Sequence, residues 1–347
     1  MKIRTAFAVV LCAAAALAAG PSLGGPSGYR LVKTLPLGGD GFWDYLSFDP
    51  AQRHLFISHG THVIVVDVDK IAVVGDIADT PRVHGAAVAD DLGKGLTSNG
   101  GDNSVTAFDL KTLQTLGRYP TGTRPDGFVY DPASHRVFTL NGGSDDATAI
   151  DGTTGKTVGT VPLGGRPEFP VTDGKGNIFV NIEDKSQIVE FNAQTLAIEN
   201  RWPLAPCERP SGLAIDAAHD RLFAGCDNQM MAVVDSTTGK VIATPAIGHG
   251  VDANRFDPAT GYAFSSNGDG TLTIVHEDTP DVFSVVENVP TQHGARTMEI
   301  DPVTHNVFLV TADQTPTPPT TDNPHPRPTV TPGTFRLLVY ARSPDAG

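Results

Sequence analysis

The sequence predicts an all-β protein, a seven-bladed β-propeller of four-stranded blades whose last blade is closed by the N-terminal strand. Three observations predict this fold. A unit of 40 to 44 residues recurs seven times, each unit holds four short strand-like runs separated by turn residues, and one further strand precedes the first unit. With 37 glycines and 27 prolines in 347 residues, the composition disfavours a helical bundle.

The repeated unit is recognised by a marker, a hydrophobic residue followed by Asp-Pro as at 48–50, and by a strand behind it that carries one aromatic residue or Leu. Because Asp and Pro are ordinary turn residues, we expect the marker to form a turn at the bottom of the ring and not a catalytic pair. The seven marker positions are Asp49, Ala89, Asp131, Asp173, Asp216, Asp257 and Asp301. The strand residues are Phe56, Leu96, Phe138, Phe179, Phe223, Phe264 and Phe308.

The strand before the first unit predicts how the ring closes. Residues 31–39 read LVKTLPLGG and match TVGTVPLGG at 157–165, the fourth strand of a later unit, yet no three strands precede them. We expect them to complete the last blade, which removes two exposed sheet edges. A single domain is therefore predicted for residues 29–342.

Several short segments are similar to those of a known family. They are WDY at 43–45, SHGTH at 58–62, TSNG at 97–100, GRPEF at 165–169 and SNGDGTL at 266–272. Together with the period, they make residues 29–342 resemble the YVTN-repeat, YncE-like seven-bladed β-propeller family, in a secreted bacterial subfamily. The resemblance implies the fold and export. It implies no uniform chemistry, since relatives are surface or periplasmic binding proteins and similar propellers elsewhere are lyases or lactonases.

The N-terminal segment predicts export. Residues 1–19 show the three regions of a cleaved signal peptide, with Lys2 and Arg4 before an apolar run and small residues behind it. The run is shorter than the ~20 residues that span a membrane, so we expect a periplasmic or secreted protein without a transmembrane segment. The formal net charge of −14 disfavours nucleic acid as a partner. The predicted partner is a small polar molecule or a protein, and the predicted state is a monomer.

A polar residue occupies the same position in every unit, five residues before the marker, where the inner strand enters the channel at the top of the ring. These residues are Asp44, His84, Asp126, Glu168, Ser211, Asp252 and Arg296. If they line the channel mouth, they form a ligand-binding site about the size of a small molecule. The alternative is a solvated position without function.

Arginine recurs two residues before this position, at Arg82, Arg124, Arg166 and Arg209. Four guanidinium groups at one place in the repeat suit an anionic ligand such as a carboxylate or phosphate ester. Alternatively, each arginine pairs with Asp126 or Glu168 of an adjacent blade and locks the blades together.

Histidines on the top loops suggest a divalent metal as a possible cofactor. Imidazole nitrogen and carboxylate oxygen together suit zinc, copper or iron, although the histidines also fit hydrogen-bonded turns. The candidate ligands are His59, His84, His249 and His293 with Glu168 and Asp252. The histidines of the bottom turns, His54, His135, His219 and His305, are expected to have no chemical role.

Two functions follow from this mouth. The first is a binding protein that recognises a small polar ligand or a partner segment. The second is a metal-dependent lyase or hydrolase, with Glu168, Asp126, His84 and His293 as catalytic candidates. Whether the protein is an enzyme, and which cofactor it uses, stays open at this point.

Two further features concern structure. Cys207 and Cys226 are the cysteines that remain after removal of the signal peptide, and a disulfide bond between them is predicted in an oxidising compartment. Residues 315–332 contain seven prolines and six threonines and are inserted in the last blade. We expect this segment to run extended without a ladder, either as a flap over the mouth or as a solvated loop.

Overall fold

The computed structural model of this chain describes residues 27–318 and 328–342. The signal peptide predicted at 1–19 lies outside them. Within these ranges the chain forms seven four-stranded antiparallel sheets and one two-stranded ladder, which confirms the seven-bladed propeller. Runs rich in Val, Ile, Thr and Phe form the strands, and Asp, Asn and Gly turns separate them.

Blades 1 to 4 each use four consecutive strands, ordered from the channel outward. Blade 1 contains β2 (Trp43–Asp49), β3 (His54–His59), β4 (His62–Asp67) and β5 (Ala72–Ile77). Blade 2 contains β6 (Val83–Ala89), β7 (Lys94–Asn99), β8 (Ser104–Asp109) and β9 (Thr115–Pro120). Blade 3 contains β10 (Pro125–Asp131), β11 (Arg136–Asn141), β12 (Asp146–Asp151) and β13 (Thr157–Pro162). Blade 4 contains β14 (Pro167–Thr172), β15 (Asn177–Ile182), β16 (Gln187–Asn192) and β17 (Ile198–Pro203).

The remaining blades follow the same order until the ring closes. Blade 5 contains β18 (Pro210–Asp216), β19 (Arg221–Cys226), β20 (Met230–Asp235) and β21 (Val241–Ala243). Blade 6 contains β22 (Val251–Asp257), β23 (Tyr262–Asn267), β24 (Thr271–Thr279) and β25 (Val282–Pro290). Blade 7 contains β26 (Thr297–Ile300), β27 (Val307–Thr311), β30 (Arg336–Arg342) and the N-terminal strand β1 (Tyr29–Pro36).

The predicted closure is confirmed. Strand β1 pairs antiparallel with β30, in a register that runs from Tyr29 opposite Arg342 to Pro36 opposite Arg336. The Tyr29 hydroxyl donates a hydrogen bond to the His305 carbonyl at 2.8 Å. The first and the last described strands therefore share one sheet.

The hydrophobic core lies between neighbouring blades. The repeated aromatic residue or Leu of each second strand is between 0 and 3% exposed. It meets rings of the next blade, as where Phe138 approaches Phe191 edge-on at 5.1 Å between ring centroids. Each such ring stabilises the fold by roughly 2 kcal/mol. Because packing is concentrated between blades, the two ends of the inner strands are free to carry polar groups.

The marker aspartates form the predicted turns. The Asp49 carboxylate accepts hydrogen bonds from the backbone N–H groups of Ala51 and Gln52, both at 2.9 Å. The side chain is buried, and the two backbone donors of the turn both bind its Oδ1.

Three features complete the fold. The Cys207–Cys226 disulfide bond is present, as predicted. The prediction that residues 315–332 form no ladder is wrong at its ends, since β28 (Gln314–Thr315) pairs with β29 (Thr329–Val330). The tip of that segment lies outside the described residues. Two three-residue 3-10 helices occur at Asp90–Leu92 and Glu183–Lys185, and none of the described helices is long and apolar enough to cross a membrane.

Candidate functional site

The top of the channel opens into a cavity of about 660 Å³. Six of the seven polar residues singled out by the repeat line it, namely Asp44, His84, Asp126, Glu168, Asp252 and Arg296. The seventh, Ser211, is not among the lining residues, although its hydroxyl lies 3.3 Å from the Asp252 carboxylate. The repeat therefore brings groups from six blade entrances together in one place.

A β-bulge in the inner strands of blades 1 to 6 explains why the polar side chains of these blades reach the channel. In blade 3 the register with the second strand shifts between Pro125 and Phe128, and in blade 4 between Pro167 and Pro170. Blades 1, 2, 5 and 6 show a register shift at the same place. The polar residue of each of these six blades lies inside such a shift, where it is free from strict ladder pairing and is re-aimed. Arg296 of blade 7 lies immediately before β26, whose register with β27 shows no shift. Nothing in the sequence indicates these bulges.

His84 is held between two carboxylates. Its Nδ1 lies 2.7 Å from Asp44 Oδ2 and 3.2 Å from Asp126 Oδ1. Burial disfavours the charged imidazole, but the hydrogen bond with Asp44 and the negative charge of Asp126 prevail and raise the pKa of His84 to about 9. His84 is therefore an imidazolium at neutral pH.

Two of the carboxyl groups take up protons more readily than usual. Burial and the nearest negative charges, those of Asp126 and Asp252, raise the pKa of Glu168 to about 8, and the charge of Arg166 opposes this rise. Burial is also the main cause that raises the pKa of Asp126 to about 6, and His84 opposes it. Among the described residues, none donates a hydrogen bond to the Glu168 carboxyl group. Glu168 is therefore a neutral acid at pH 7 with unused hydrogen-bonding capacity.

Asp252 and Arg296 neutralise each other across blades 6 and 7. Arg296 Nη1 lies 3.2 Å from Asp252 Oδ2. The charge of Asp252 is the largest cause that raises the pKa of Arg296. This pair makes one side of the mouth electrically balanced.

The four arginines divide into two pairs. Arg82 and Arg124 lie at the rim of the cavity, where Arg82 covers the Phe42 ring at 5.9 Å and Arg124 donates to the Gly142 carbonyl at 3.2 Å. Arg166, which also lines the cavity, and Arg209, which does not, both form ion pairs with Glu183.

Glu183 was not anticipated from the sequence. It begins the 3-10 helix between β15 and β16 and joins Arg166 of blade 4 to Arg209 of blade 5. Arginine pairing across blades was one of the two alternatives, but the partner is Glu183 and not Asp126 or Glu168. The signal was the sequence IEDK at 182–185, where blades 2, 3 and 6 carry Asn-Gly turns.

Of the four candidate metal-binding histidines, only His84 lines the cavity. His59 is 1% exposed and stacks on Phe335 with centroids 4.3 Å apart, and burial lowers its pKa to about 4. His293 lines a separate cavity beside Asp313. His249 is not a lining residue, and its backbone N–H donates to the Asp269 carboxylate at 2.7 Å.

One set of mouth residues has metal-binding geometry. Asp44, His84 and Asp126 offer three ligand atoms that lie within 4.8 Å of one another. Imidazole and carboxylate are ligands that suit zinc and related divalent ions. The other predicted metal ligands, Glu168 and Asp252, line the same cavity but are not members of this set.

A cluster of three aromatic side chains lies below the mouth. Tyr45 is buried and meets Phe169 edge-on at 5.0 Å and Phe128 at 6.1 Å. Phe128 and Phe169 also line a second cavity farther down the channel. Since Tyr45 lines the mouth cavity, this aromatic cluster borders both cavities.

The comparisons with known proteins support the fold. No family model and no curated protein matches the chain. One chain in the crystal structure of the mitotic checkpoint complex is similar with a TM-score of 0.71 at 12% identity, covering 98% of this chain and 99% of that chain. At this identity the likeness shows the fold alone. The class is thus a seven-bladed β-propeller, while the YncE-like resemblance and the secreted subfamily stay predictions.

Proposed function

We propose that this propeller is a binding protein whose mouth takes a small polar ligand carrying both a hydrogen-bond donor or cationic group and an anionic group. The donor group is bound by Glu168, and the anionic group by the rim arginines. The observation that carries the proposal is the Glu168 carboxyl group, which lines the cavity and receives no hydrogen bond from the described residues.

The charges around Glu168 support this assignment. His84 forms ion pairs with Asp44 and Asp126, and Arg296 forms one with Asp252. These groups therefore hold each other in place. Glu168 is the carboxyl group left for a ligand donor, and a cationic group beside it would displace its proton and form a charge-assisted hydrogen bond.

The rim supports the anionic end of the ligand. Arg82 and Arg124 form no ion pair among the described residues, and both side chains lie at the cavity edge. A carboxylate is a natural partner for a guanidinium group, because the two hydrogen-bond forks match. The proposal therefore favours zwitterions over simple anions or simple amines.

Calorimetric titration tests this proposal. The probes are amino acids, the diamine putrescine, succinate, and a short lysine-containing peptide that represents a partner segment. We expect a zwitterionic probe to bind with a Kd below about 1 mM. Glu168→Gln keeps the shape but cannot give up a proton to form the carboxylate that would pair with a cationic group, and it should weaken binding at least tenfold.

Glu190→Gln is the matched control. Glu190 is also a buried acid with a raised pKa, but it lies away from the mouth and accepts a hydrogen bond from Asn200 at 2.7 Å. This variant should bind as the unmodified protein does. If no probe binds, or if both variants bind equally well, the proposal is wrong.

A metal-dependent lyase or hydrolase is a second candidate, favoured by the Asp44, His84 and Asp126 geometry. In this function the metal would polarise a substrate oxygen, and Glu168 would move a proton. Elemental mass spectrometry of the purified protein beside His84→Ala distinguishes the two functions. Metal lost in that variant supports the enzyme, and turnover of an ester or lactone panel would establish it.

We also propose that the protein works outside the cytoplasm as a monomer. The disulfide bond between Cys207 and Cys226 is compatible with an extracellular or periplasmic location. Cell fractionation, with mass spectrometry of the mature N-terminus, tests the location and the predicted signal peptide together. Sedimentation analysis tests the monomer.

A further inference from the structure

A second repeated position lies at the bottom of the ring, four residues after the marker. The backbone there is left-handed in six of the seven units, with φ between 54° and 69°, at Arg53, Gly93, His135, Asp220, Gly261 and His305. Arg53 contacts Asp301 at 2.5 Å, His305 contacts Asp257 at 2.8 Å and His135 contacts Asp91 at 2.9 Å. In these three places, the position supplies a cationic or ionisable side chain to a carboxylate of the preceding blade.

The junction of blades 5 and 6 breaks this pattern. The position holds Gly261, which has no side chain to offer Asp216 of blade 5. A second carboxylate comes in instead, from Glu277 on β24 of blade 6. The Asp216 and Glu277 side chains are only 3% and 4% exposed. Two buried acids therefore meet where three other junctions place an acid beside a cationic or ionisable group.

His219 completes this group from the turn after β18. Its Nδ1 lies 2.6 Å from Asp216 Oδ2 and 2.8 Å from Glu277 Oε1. One nitrogen carries at most one proton, and the hydrogen bond from this nitrogen goes to Asp216. Neither oxygen of Glu277 has a hydrogen-bond partner of normal geometry among the described residues.

A buried carboxylate without a donor is costly, because it loses its hydration and receives nothing in return. Here it also faces another carboxylate. The three groups offer one nitrogen and two carboxylate oxygens, all within 4.8 Å of one another. This is a donor set for a divalent cation, which would satisfy both acids together.

We propose that Asp216, His219 and Glu277 form a divalent metal site of the zinc type that joins blades 5 and 6 at the bottom of the ring. Three protein ligands leave a fourth position for water. The His219 side chain is 51% exposed and provides the route of entry. The site is separate from the mouth, since Asp216 ends the inner strand that begins near Ser211. His219 thereby gains the chemical role that the sequence did not lead us to expect.

The test is a titration of the full-length, chelator-treated protein with zinc chloride, followed by calorimetry and by thermal unfolding. We expect one zinc ion per chain at this site and a rise in the unfolding midpoint. Glu277→Gln preserves the shape of the side chain, and it should weaken zinc binding at least about tenfold and abolish the rise in midpoint.

Two further variants make the result specific. His305→Ala removes an imidazole from the neighbouring junction and should leave the zinc response unchanged. Gly261→Arg restores the cation found in blade 1, and the nearest atom to its added Cβ is His276 Nε2 at 3.3 Å. It should fold and lose the zinc response. The proposal is overturned if zinc has no effect on the unmodified protein, or if the response survives Glu277→Gln and disappears in His84→Ala.

Discussion

The two ends of the inner strands carry similar groups in opposite arrangements. At the mouth, His84 is 13% exposed and enclosed by two carboxylates that are 16% and 30% exposed. At the bottom of blade 5, His219 is 51% exposed, and its two carboxylates are enclosed at 3% and 4%. At the mouth, the carboxylates are more accessible than the imidazole. At the bottom, the imidazole is accessible to solvent and the carboxylates are buried between blades.

The difference shows that one set of residue types serves two purposes. Acids that border a cavity can exchange a proton for a ligand group, as Glu168 does in the proposed function. Acids enclosed between blades need a permanent partner, because burial makes an unpaired charge expensive. Each of the following changes tests this distinction, from the largest expected effect to the smallest.

Removing the cation from a bottom junction should have the largest effect. Arg53→Ala leaves Asp301, which is 1% exposed, without its partner, and we expect the free energy of unfolding to fall by about 3 kcal/mol. Burial opposes ionisation of Asp301, yet the Arg53 hydrogen bonds hold its pKa at about 2. The pair therefore stabilises the fold above about pH 4 and loses its contribution as pH falls toward 2.

Urea unfolding at pH 7 and pH 3 measures this effect, with Arg296→Ala at the mouth as the comparison. Arg296 is 41% exposed and its partner borders the cavity, so we expect a smaller loss. Equal losses in the two variants would contradict the distinction between the two ends.

Removing the imidazolium from the mouth should have an intermediate effect. His84→Gln leaves Asp44 and Asp126 facing each other, and we expect a loss of about 1 to 2 kcal/mol at pH 7. Because the pKa of His84 is raised to about 9, its stabilising contribution is complete below about pH 6.5 and is lost as pH rises through 9. Thermal unfolding from pH 6 to pH 10 should show this loss in the unmodified protein and less of it in the variant.

Neutralising Glu168 should have a smaller effect of opposite sign. The folded protein favours the protonated acid, with a pKa of about 8, so ionisation destabilises the fold increasingly between about pH 4.5 and pH 8. We expect Glu168→Gln to match the unmodified protein at pH 4.5 and to be more stable by about 1 kcal/mol at pH 9. A variant that is less stable at pH 9 would show that Glu168 has a structural partner.

Shortening a rim arginine should affect binding alone. Arg124 is exposed and forms no ion pair among the described residues, so Arg124→Ala should change stability by less than about 0.5 kcal/mol. Affinity for a zwitterionic probe should fall severalfold, while affinity for a simple amine should not change. Calorimetry measures the affinity of the variant for both probes. If both affinities fell equally, Arg124 would have no specific role in binding the anionic group.

The sequence predicts the architecture because each structural position of the blade occurs in seven repeated units. The Asp-Pro turns, the aromatic residue of the second strand and the closing strand each follow from alignment of the units. The residues of the mouth follow in the same way, since one position in the repeat maps to one level of the channel. Alignment of the units also identifies the bottom position that Gly261 occupies. It does not predict that the Glu277 carboxylate lies beside this position.

What the repeat does not predict is which side chains meet across blades. Arg166 and Arg209 converge on Glu183, at a position where blades 1, 2, 3 and 6 carry glycine. His59 shares the top loops with His84, yet it packs against Phe335 because the closing blade supplies an aromatic surface there. Such contacts depend on individual loops and rotamers, and these are not periodic.

The pairing of β1 with β30 has a consequence for how the protein folds. Blades 1 to 6 are built from hairpins of neighbouring strands, which close quickly. The sheet of blade 7 joins Tyr29 to Arg342, so it forms only when both distant segments are present. Loop-closure entropy makes such distant contacts slow to form, so the last blade is expected to assemble after the others. The same pairing places Tyr29 and Arg342 side by side. If a short linker joined these residues and the chain were reopened between two other blades, every blade of the permuted protein would be built from one continuous stretch of chain.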